Sequence, residues 1–131
     1  MQHSDQHTGH CLYGDIRFKF DPDAVRFVAN CHCESCRRAT GSPVTTFIGV
    51  RDSGWRWLGA EPAVYESSPG VRRSFCPRCG TPVAYASESY PGEIHFYAAL
   101  LIDPSALKPT EDAHSGERLD WCPMAADLPQ K

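Results

Sequence analysis

The sequence of 131 residues lacks a long apolar run, and its longest aliphatic stretch is AALLI at residues 98–102. A membrane-spanning helix needs about 20 consecutive apolar residues, so we expect no membrane partner. The first ten residues, MQHSDQHTGH, are polar and contain no secretory apolar segment. These two absences favour a cytoplasmic protein.

The chain also lacks an excess of positive charge, because 13 Lys and Arg residues stand against 16 Asp and Glu residues and the net charge is −3. Nucleic-acid-binding domains usually present a basic field, so we expect no nucleic-acid partner. Lysine itself is scarce, with three residues against ten arginines. Arginine binds carboxylates in a planar, bidentate geometry, which favours a carboxylate-bearing ligand.

Cysteine, by contrast, is abundant, with seven residues in the chain. An odd number excludes complete internal disulfide pairing. In a reducing compartment, clustered cysteines are more often metal ligands than disulfide partners. The apolar and charged fractions of 41% and 22% are ordinary for a globular protein, and the length is typical of one domain.

The pattern of short alternating segments predicts a mainly β domain. Glycine and proline separate most of the segments. Predicted strands cover residues 15–20, 25–31, 43–50, 55–59, 61–68, 71–75, 82–88 and 93–102, with helical turns at 34–41 and 103–107. Residues 1–8 are polar and are predicted to form a disordered tail, although His3, His7 and His10 could collect metal.

The motif CPRCGT at residues 76–81 predicts half of a metal site. Cys76 and Cys79 are three residues apart in a turn, as in structural zinc sites that take four protein ligands. Cys11 is the natural third ligand. The position two residues later on the same face is Tyr13, and a phenol with a pKa near 10 is a poor zinc ligand. His10, Cys122 or water remain alternatives for the fourth position.

The motif CHCESC at residues 31–36 predicts a second metal site, held by Cys31, Cys33 and Cys36. Side chains alternate along extended chain, so His32 is predicted to face away from the sulfurs. Zinc with three protein ligands and an open position is typical of catalytic sites. Soft sulfur ligands favour another sulfur there. Arg37 and Arg38 follow directly and could bind a substrate carboxylate.

Four segments in order resemble the glutathione-dependent formaldehyde-activating enzyme and centromere protein V family. They are GHCLYGDIRF, CHCESCRRATG, SFCPRCGTPVAY and ERLDW…DLP. The resemblance covers residues 9–129 and implies coiled antiparallel β-sheets shared with a zinc-binding exchange-factor protein. It also implies a carbon–sulfur lyase that joins glutathione to formaldehyde, giving S-hydroxymethylglutathione.

Residue by residue, the resemblance makes Cys31, Cys33 and Cys36 the ligands of a catalytic zinc. Cys11, Cys76 and Cys79 are three of four structural zinc ligands, and Tyr13 stands where the family has the fourth cysteine. We therefore expect a zinc enzyme acting on an adduct of a small thiol, with glutathione as the first candidate. A lyase for a different thiol adduct and a zinc-stabilised protein-binding module without catalysis are the alternatives. The sequence leaves the oligomeric state open.

Overall fold

The computed structural model describes residues 6–122 and 129. Within them the chain forms ten strands and one α-helix, α1 (Glu34–Thr40). The strands are β1 (His7–His10), β2 (Arg17–Phe20), β3 (Val25–Cys31), β4 (Thr45–Arg51), β5 (Trp55–Trp57), β6 (Ala63–Ser68), β7 (Val71–Phe75), β8 (Pro82–Ser87), β9 (Glu93–Tyr97) and β10 (Glu111–Ala113). Short 3₁₀ turns cover Pro22–Ala24, Asp52–Gly54, Ala98–Leu100, Pro104–Ala106 and Ser115–Glu117. No helix in the described residues has the length and apolar character to span a bilayer.

The strands form two sheets, which confirms the predicted mainly β fold. The small sheet has the order β1-β2-β5, and the large sheet has the order β10-β3-β4-β9-β8-β7-β6. Every pairing between these strands is antiparallel except that of β10 with β3, which is parallel. The connection that returns to β10 has to cross the domain, because parallel neighbours cannot be joined by a tight turn.

The core lies between the two sheets, where Phe18 and Phe20 of β2 are fully buried. The ring of Phe18 stacks on Phe96 of β9 with centroids 4.2 Å apart. Trp55 and Trp57 of β5 meet Phe96 edge-on. The alternation of apolar and charged residues in DIRFKF predicted this arrangement, since every second side chain of a strand faces the same side.

Two sequence predictions about these elements were wrong, and one strand was missed. His7 and Thr8 belong to β1 and pair with Phe20 and Lys19, so the expected tail is shorter, and residues 1–5 lie outside the described part. The strand expected over 93–102 ends at Tyr97 because the chain turns at Ala98–Leu100. Strand β10 was not predicted, since three residues carry too little alternation to identify a strand.

The opposite face of the large sheet carries the residues from which a cavity is built. Strand register places Phe27, Gly49, His95, Tyr85 and Arg73 in one row across β3, β4, β9, β8 and β7. The neighbouring row, which includes Ile48 and Phe96, faces the core. Because successive side chains alternate, the first row faces away from the core and toward α1.

Candidate active site

Cys31, Cys33 and Cys36 come together where β3 passes into α1. Cys31 is the last residue of β3, Cys33 is the N-cap of α1, and Cys36 lies in its first turn. Their three Sγ atoms all lie within 4.8 Å of one another. Zinc–sulfur bonds of about 2.3 Å place two sulfurs of a tetrahedron about 3.8 Å apart. The cluster is therefore compact enough to hold zinc, and three sulfurs leave a fourth position for another ligand.

Hydrogen bonds in this cluster favour one thiolate over the others. The backbone N–H of Cys36 donates to Cys33 Sγ at 3.3 Å, and Ser35 Oγ lies 3.5 Å from the same sulfur. Hydrogen bonds from Cys31 and Cys36 hold the pKa of Cys33 far below its usual range. The same hydrogen bond to Cys33 raises the pKa of Cys31. Negative charge therefore concentrates on Cys33, and a bound cation would be needed to ionise all three thiols.

Arg73 of β7 is the cation closest to this cluster among the described contacts, and the sequence analysis missed it. Its Nη1 and Nη2 atoms lie 3.9 and 4.0 Å from Cys36 Sγ. Its guanidinium lies 5.1 Å from the ring centroid of Tyr85, and its Nε donates to Ser67 Oγ at 3.2 Å. Burial alone would lower the pKa of Arg73. The hydrogen bond and charge of the Cys36 sulfur act in the opposite direction, and the pKa lies above its usual value.

The two arginines that follow the motif lie differently. Arg38 is 77% exposed, and its Nε donates to Glu34 on the same helix at 2.9 Å. Arg37 is half-buried, and its Nε has no hydrogen-bond partner among the described residues. Neither makes a described contact with the sulfurs. Strand pairing, which the sequence could not reveal, brings Arg73 to the site from 37 residues away.

His32 lies on the other side of the chain from the sulfurs and is buried. Its Nε2 lies 3.0 Å from Oδ1 of Asp112, which is fully buried on β10. The alternation that places Cys31 and Cys33 on one side thus places His32 on the other. This pair holds the short strand β10 against β3 and so fixes one side of the cavity below.

The first cavity, of about 360 Å³, opens onto the cysteine cluster. It is lined by the three cysteines and by the rings of Phe27, Phe47, Tyr85, Tyr90 and His95, together with the polar or charged residues Arg26, Ser35, Glu93, Glu111 and His114. Ala29 of β3 and Ala113 of β10 also line it. The small side chains of these two alanines leave the space that the rings enclose.

Glu93 and His95 form a buried polar pair in the wall of this cavity. His95 Nε2 lies 2.7 Å from Glu93 Oε2, and Arg26 Nε lies 3.1 Å from Glu93 Oε1. Burial lowers the pKa of His95, although Glu93 opposes this effect, and the lowered pKa favours the neutral ring. In the tautomer with a proton on Nε2, the ring donates that proton to Glu93. The sequence analysis predicted none of these three residues for the site.

A second cavity, of about 630 Å³, lies on the Arg73 side of the cluster. Its lining includes the guanidinium groups of Arg38 and Arg73 and the hydroxyls of Ser67 and Ser74, and no carboxylate belongs to the described lining. Tyr97 also lines it, and burial raises the pKa of that phenol to about 12. This cavity therefore offers two guanidinium groups without a lining carboxylate, whereas the first is lined by Glu93 and Glu111 beside its rings.

The second cysteine cluster consists of Cys11, Cys76 and Cys79, whose Sγ atoms also lie within 4.8 Å of one another. Gly80 closes the turn at φ +79°, a region that glycine enters without strain, and its N–H donates to the Cys76 carbonyl at 2.7 Å. A hydrogen bond from Thr81 lowers the pKa of Cys79 to about 6. Both predicted cysteine clusters are therefore present and could hold a metal.

The candidates for a fourth ligand of this cluster lie elsewhere. Tyr13 is 64% exposed, and Arg78 of the turn lies 5.3 Å from its ring centroid. Within the described part of the chain, neither His10 nor Cys122 joins the three sulfurs in a group that could hold a metal ion. His10 Nδ1 instead lies 2.6 Å from the Cys11 carbonyl oxygen. Among these residues the cluster therefore keeps three protein ligands.

The fold and the two cysteine clusters define a small β protein with two potential metal sites. A family model described as glutathione-dependent formaldehyde-activating enzyme matches residues 6–117, so the chain belongs to this family. The crystal structure of a Rhodobacter sphaeroides protein, a structural genomics target, has the same fold with a TM-score of 0.59 at 20% identity, over 95% of this chain and 99% of that one. No curated protein matches the sequence.

Proposed function

We propose that the protein is a zinc-dependent carbon–sulfur lyase that acts on the adduct of a small thiol, with glutathione as the first candidate, and a small aldehyde such as formaldehyde. The observation that carries this proposal is the Cys31, Cys33 and Cys36 cluster, which supplies three sulfurs beside two cavities. A purely structural zinc usually has four protein ligands. Family membership supports the same reaction class.

Zinc held by these residues would lower the pKa of a thiol that takes the fourth position. The remaining tasks belong to the chain itself. In the forward direction the substrate sulfur adds to the carbonyl carbon: one S–C bond forms as the C=O π bond opens, and the proton lost by the thiol ends on the former carbonyl oxygen. Arg73 Nη1 lies 3.9 Å from Cys36 Sγ. Its positive charge partly offsets the charge of the thiolates and favours a substrate thiolate at the fourth position.

We assign the carboxylates of the thiol to the second cavity. Arg73 and the serines there provide donors of the kind that bind carboxylates. Arg38 lines the same cavity and can contribute if it leaves Glu34. Arg37 lies outside the described lining of either cavity, so we give it no direct contact with substrate.

Cobalt substitution tests the proposal, because cobalt reports its ligands through absorption bands. Glutathione added to the cobalt-loaded protein should strengthen the sulfur-to-cobalt charge-transfer band to saturation. S-methylglutathione, which has no thiol, is the matched control and should give a smaller change. An unchanged spectrum with glutathione and other small thiols, at a fully loaded site, would favour the protein-binding module instead.

Replacing Arg73 with Gln should weaken thiol binding while the metal stays bound. A hydrogen bond to a charged group contributes about 1.5–3 kcal/mol, so the dissociation constant for glutathione should rise about tenfold or more. Arg38→Gln should have a smaller effect, since its side chain is mostly exposed. Arg56→Gln, on the small sheet, is the control and should change nothing. Equal effects of all three variants in the cobalt titration would contradict the assignment.

A further inference from the structure

This inference rests on the proposed function and concerns the electrophile. We propose that the aldehyde carries a flat aromatic body, and that the first cavity holds this body while the substrate sulfur lies at the cysteine cluster. Formaldehyde has two heavy atoms, and a water molecule occupies about 30 Å³ of liquid. A cavity of about 360 Å³ is far larger than such a substrate needs.

The walls of the first cavity match an aromatic ring in shape and chemistry. The ring of Phe27 meets that of His95 edge-on, with ring centroids 4.9 Å apart, and the ring centroids of Tyr90 and His95 are 5.0 Å apart. Phe47 lies 5.9 Å from Tyr85. Aromatic rings prefer centroid separations of about 4.5–7 Å with offset or edge-on geometry. A ligand ring placed among these side chains would continue the same pattern of contacts.

The buried polar pair does not make this wall charged. The carboxylate of Glu93 is already paired with His95 at 2.7 Å and with Arg26 at 3.1 Å. Glu93 and His95 both line the cavity, and the Glu93 carboxylate there is already engaged by its two partners. The other charged or titratable lining residues, Arg26, Glu111 and His114, are more exposed. An uncharged, flat ligand body fits the buried part.

The side chains that line the second cavity indicate which part of the adduct occupies the first cavity. A glutathione-like thiol carries carboxylates, which need cations and hydroxyl donors. Arg73, Arg38 and Ser67 provide these groups in the second cavity. The first cavity is lined by the carboxylates of Glu93 and Glu111, and its one guanidinium, Arg26, is already paired with Glu93. It is therefore less suited to carboxylates and is left for the uncharged part of the electrophile. The reaction remains balanced: the thiol adds across the aldehyde C=O, giving a hemithioacetal without any redox change.

Stable thioethers of glutathione test this inference. S-benzylglutathione and S-methylglutathione share the peptide part and differ only in the group that mimics the electrophile. Calorimetric titration of the zinc-loaded protein should show S-benzylglutathione binding at least tenfold more tightly. Ala113→Leu fills the first cavity and should abolish this preference while leaving S-methylglutathione unchanged. Tyr90→Ala removes one ring from a loop and should reduce the preference several-fold.

Ala39→Leu is the matched control, because Ala39 lines the second cavity. It should weaken both thioethers equally. Equal binding of the two thioethers to the unmodified protein, or equal weakening of both by Ala113→Leu, would overturn the inference. A thiol response in the cobalt protein together with equal thioether binding would overturn the inference alone. A cavity-dependent benzyl preference without any thiol response would support the aromatic cavity and overturn the proposed reaction.

Discussion

At the level of single residues, Gly49 determines where the ring of Phe27, one of the residues that line the first cavity, lies. A Cβ atom at this position would lie 2.2 Å from Cε2 of Phe27, the residue paired with it across the sheet. The missing side chain lets the Phe27 ring lie across β4 and meet His95. The shape of the cavity therefore depends on a residue that contributes no side chain to it.

Gly49→Ala should destabilise the protein, because the Phe27 ring would have to leave its place. Overpacking of this kind usually costs about 1–3 kcal/mol. Urea unfolding of the zinc-loaded protein measures the change in the free energy of unfolding. Gly116→Ala is the control, since a Cβ there meets nothing within 4 Å. A Gly49→Ala variant as stable as the control would show that Phe27 moves freely.

The cysteines that could hold a metal were predictable at this scale, whereas the residues around them were not. Cysteine spacing identified Cys31, Cys33 and Cys36 and the pair Cys76 and Cys79, since ligands that share a turn are close in sequence, and the family resemblance supported Cys11 as their third partner. Arg73, Glu93 and His95 reach the site through strand pairing. In the sequence, Arg73 is only an arginine before CPRCGT, and Glu93 and His95 are only polar residues in a predicted strand. The large-sheet order, which a single sequence does not encode locally, was needed to find them.

At the scale of elements, the turn from Cys76 to Cys79 presents an incomplete metal site. The backbone N–H of Tyr13 hydrogen-bonds to the Cys79 sulfur and lowers its pKa, after the larger effect of Thr81. The backbone at position 13 is therefore within reach of this cluster, although the phenol turns outward. A cysteine at this position would place a fourth sulfur close to the other three.

Tyr13→Cys should increase zinc content and thermal stability, because zinc bound by a structural site contributes directly to folding. Elemental analysis and a thermal melt of the same preparation measure both quantities. Tyr13→Ser is the control, since it removes the ring without adding a strong ligand. If Tyr13→Cys and Tyr13→Ser behave alike in both measurements, the three existing sulfurs already hold the metal with water or another group.

Alternation along the chain predicted most strands, and the exceptions have physical reasons. The apolar run AALLI extended the predicted strand β9 too far, because apolar residues alone do not distinguish a strand from a buried turn. Strand β10 has the sequence EDA and carries no such pattern. It is a strand because its backbone pairs with β3 and its aspartate pairs with His32, and both partners are distant in sequence.

At the scale of the whole molecule, the His32–Asp112 pair holds the edge strand β10 against β3 in the large sheet. The two side chains are 80 residues apart in sequence and are almost completely buried. Asp112→Ala should lower the free energy of unfolding by about 2–3 kcal/mol, because a buried donor would lose a charged partner. Asp103→Ala, at an exposed position, is the control. Urea unfolding of both variants with zinc bound gives the comparison, and equal stabilities would contradict this role.

The parallel pairing of β10 with β3 also has a consequence for biosynthesis. Ribosomes add roughly 5–20 residues per second, so the 80 residues between His32 and Asp112 take roughly 4–16 s to synthesise. During that interval Cys31, Cys33 and Cys36 have already been made, but the strand that walls their cavity has not. The nascent chain therefore presents three clustered thiols to the surrounding metal and oxidants before the site has its final shape.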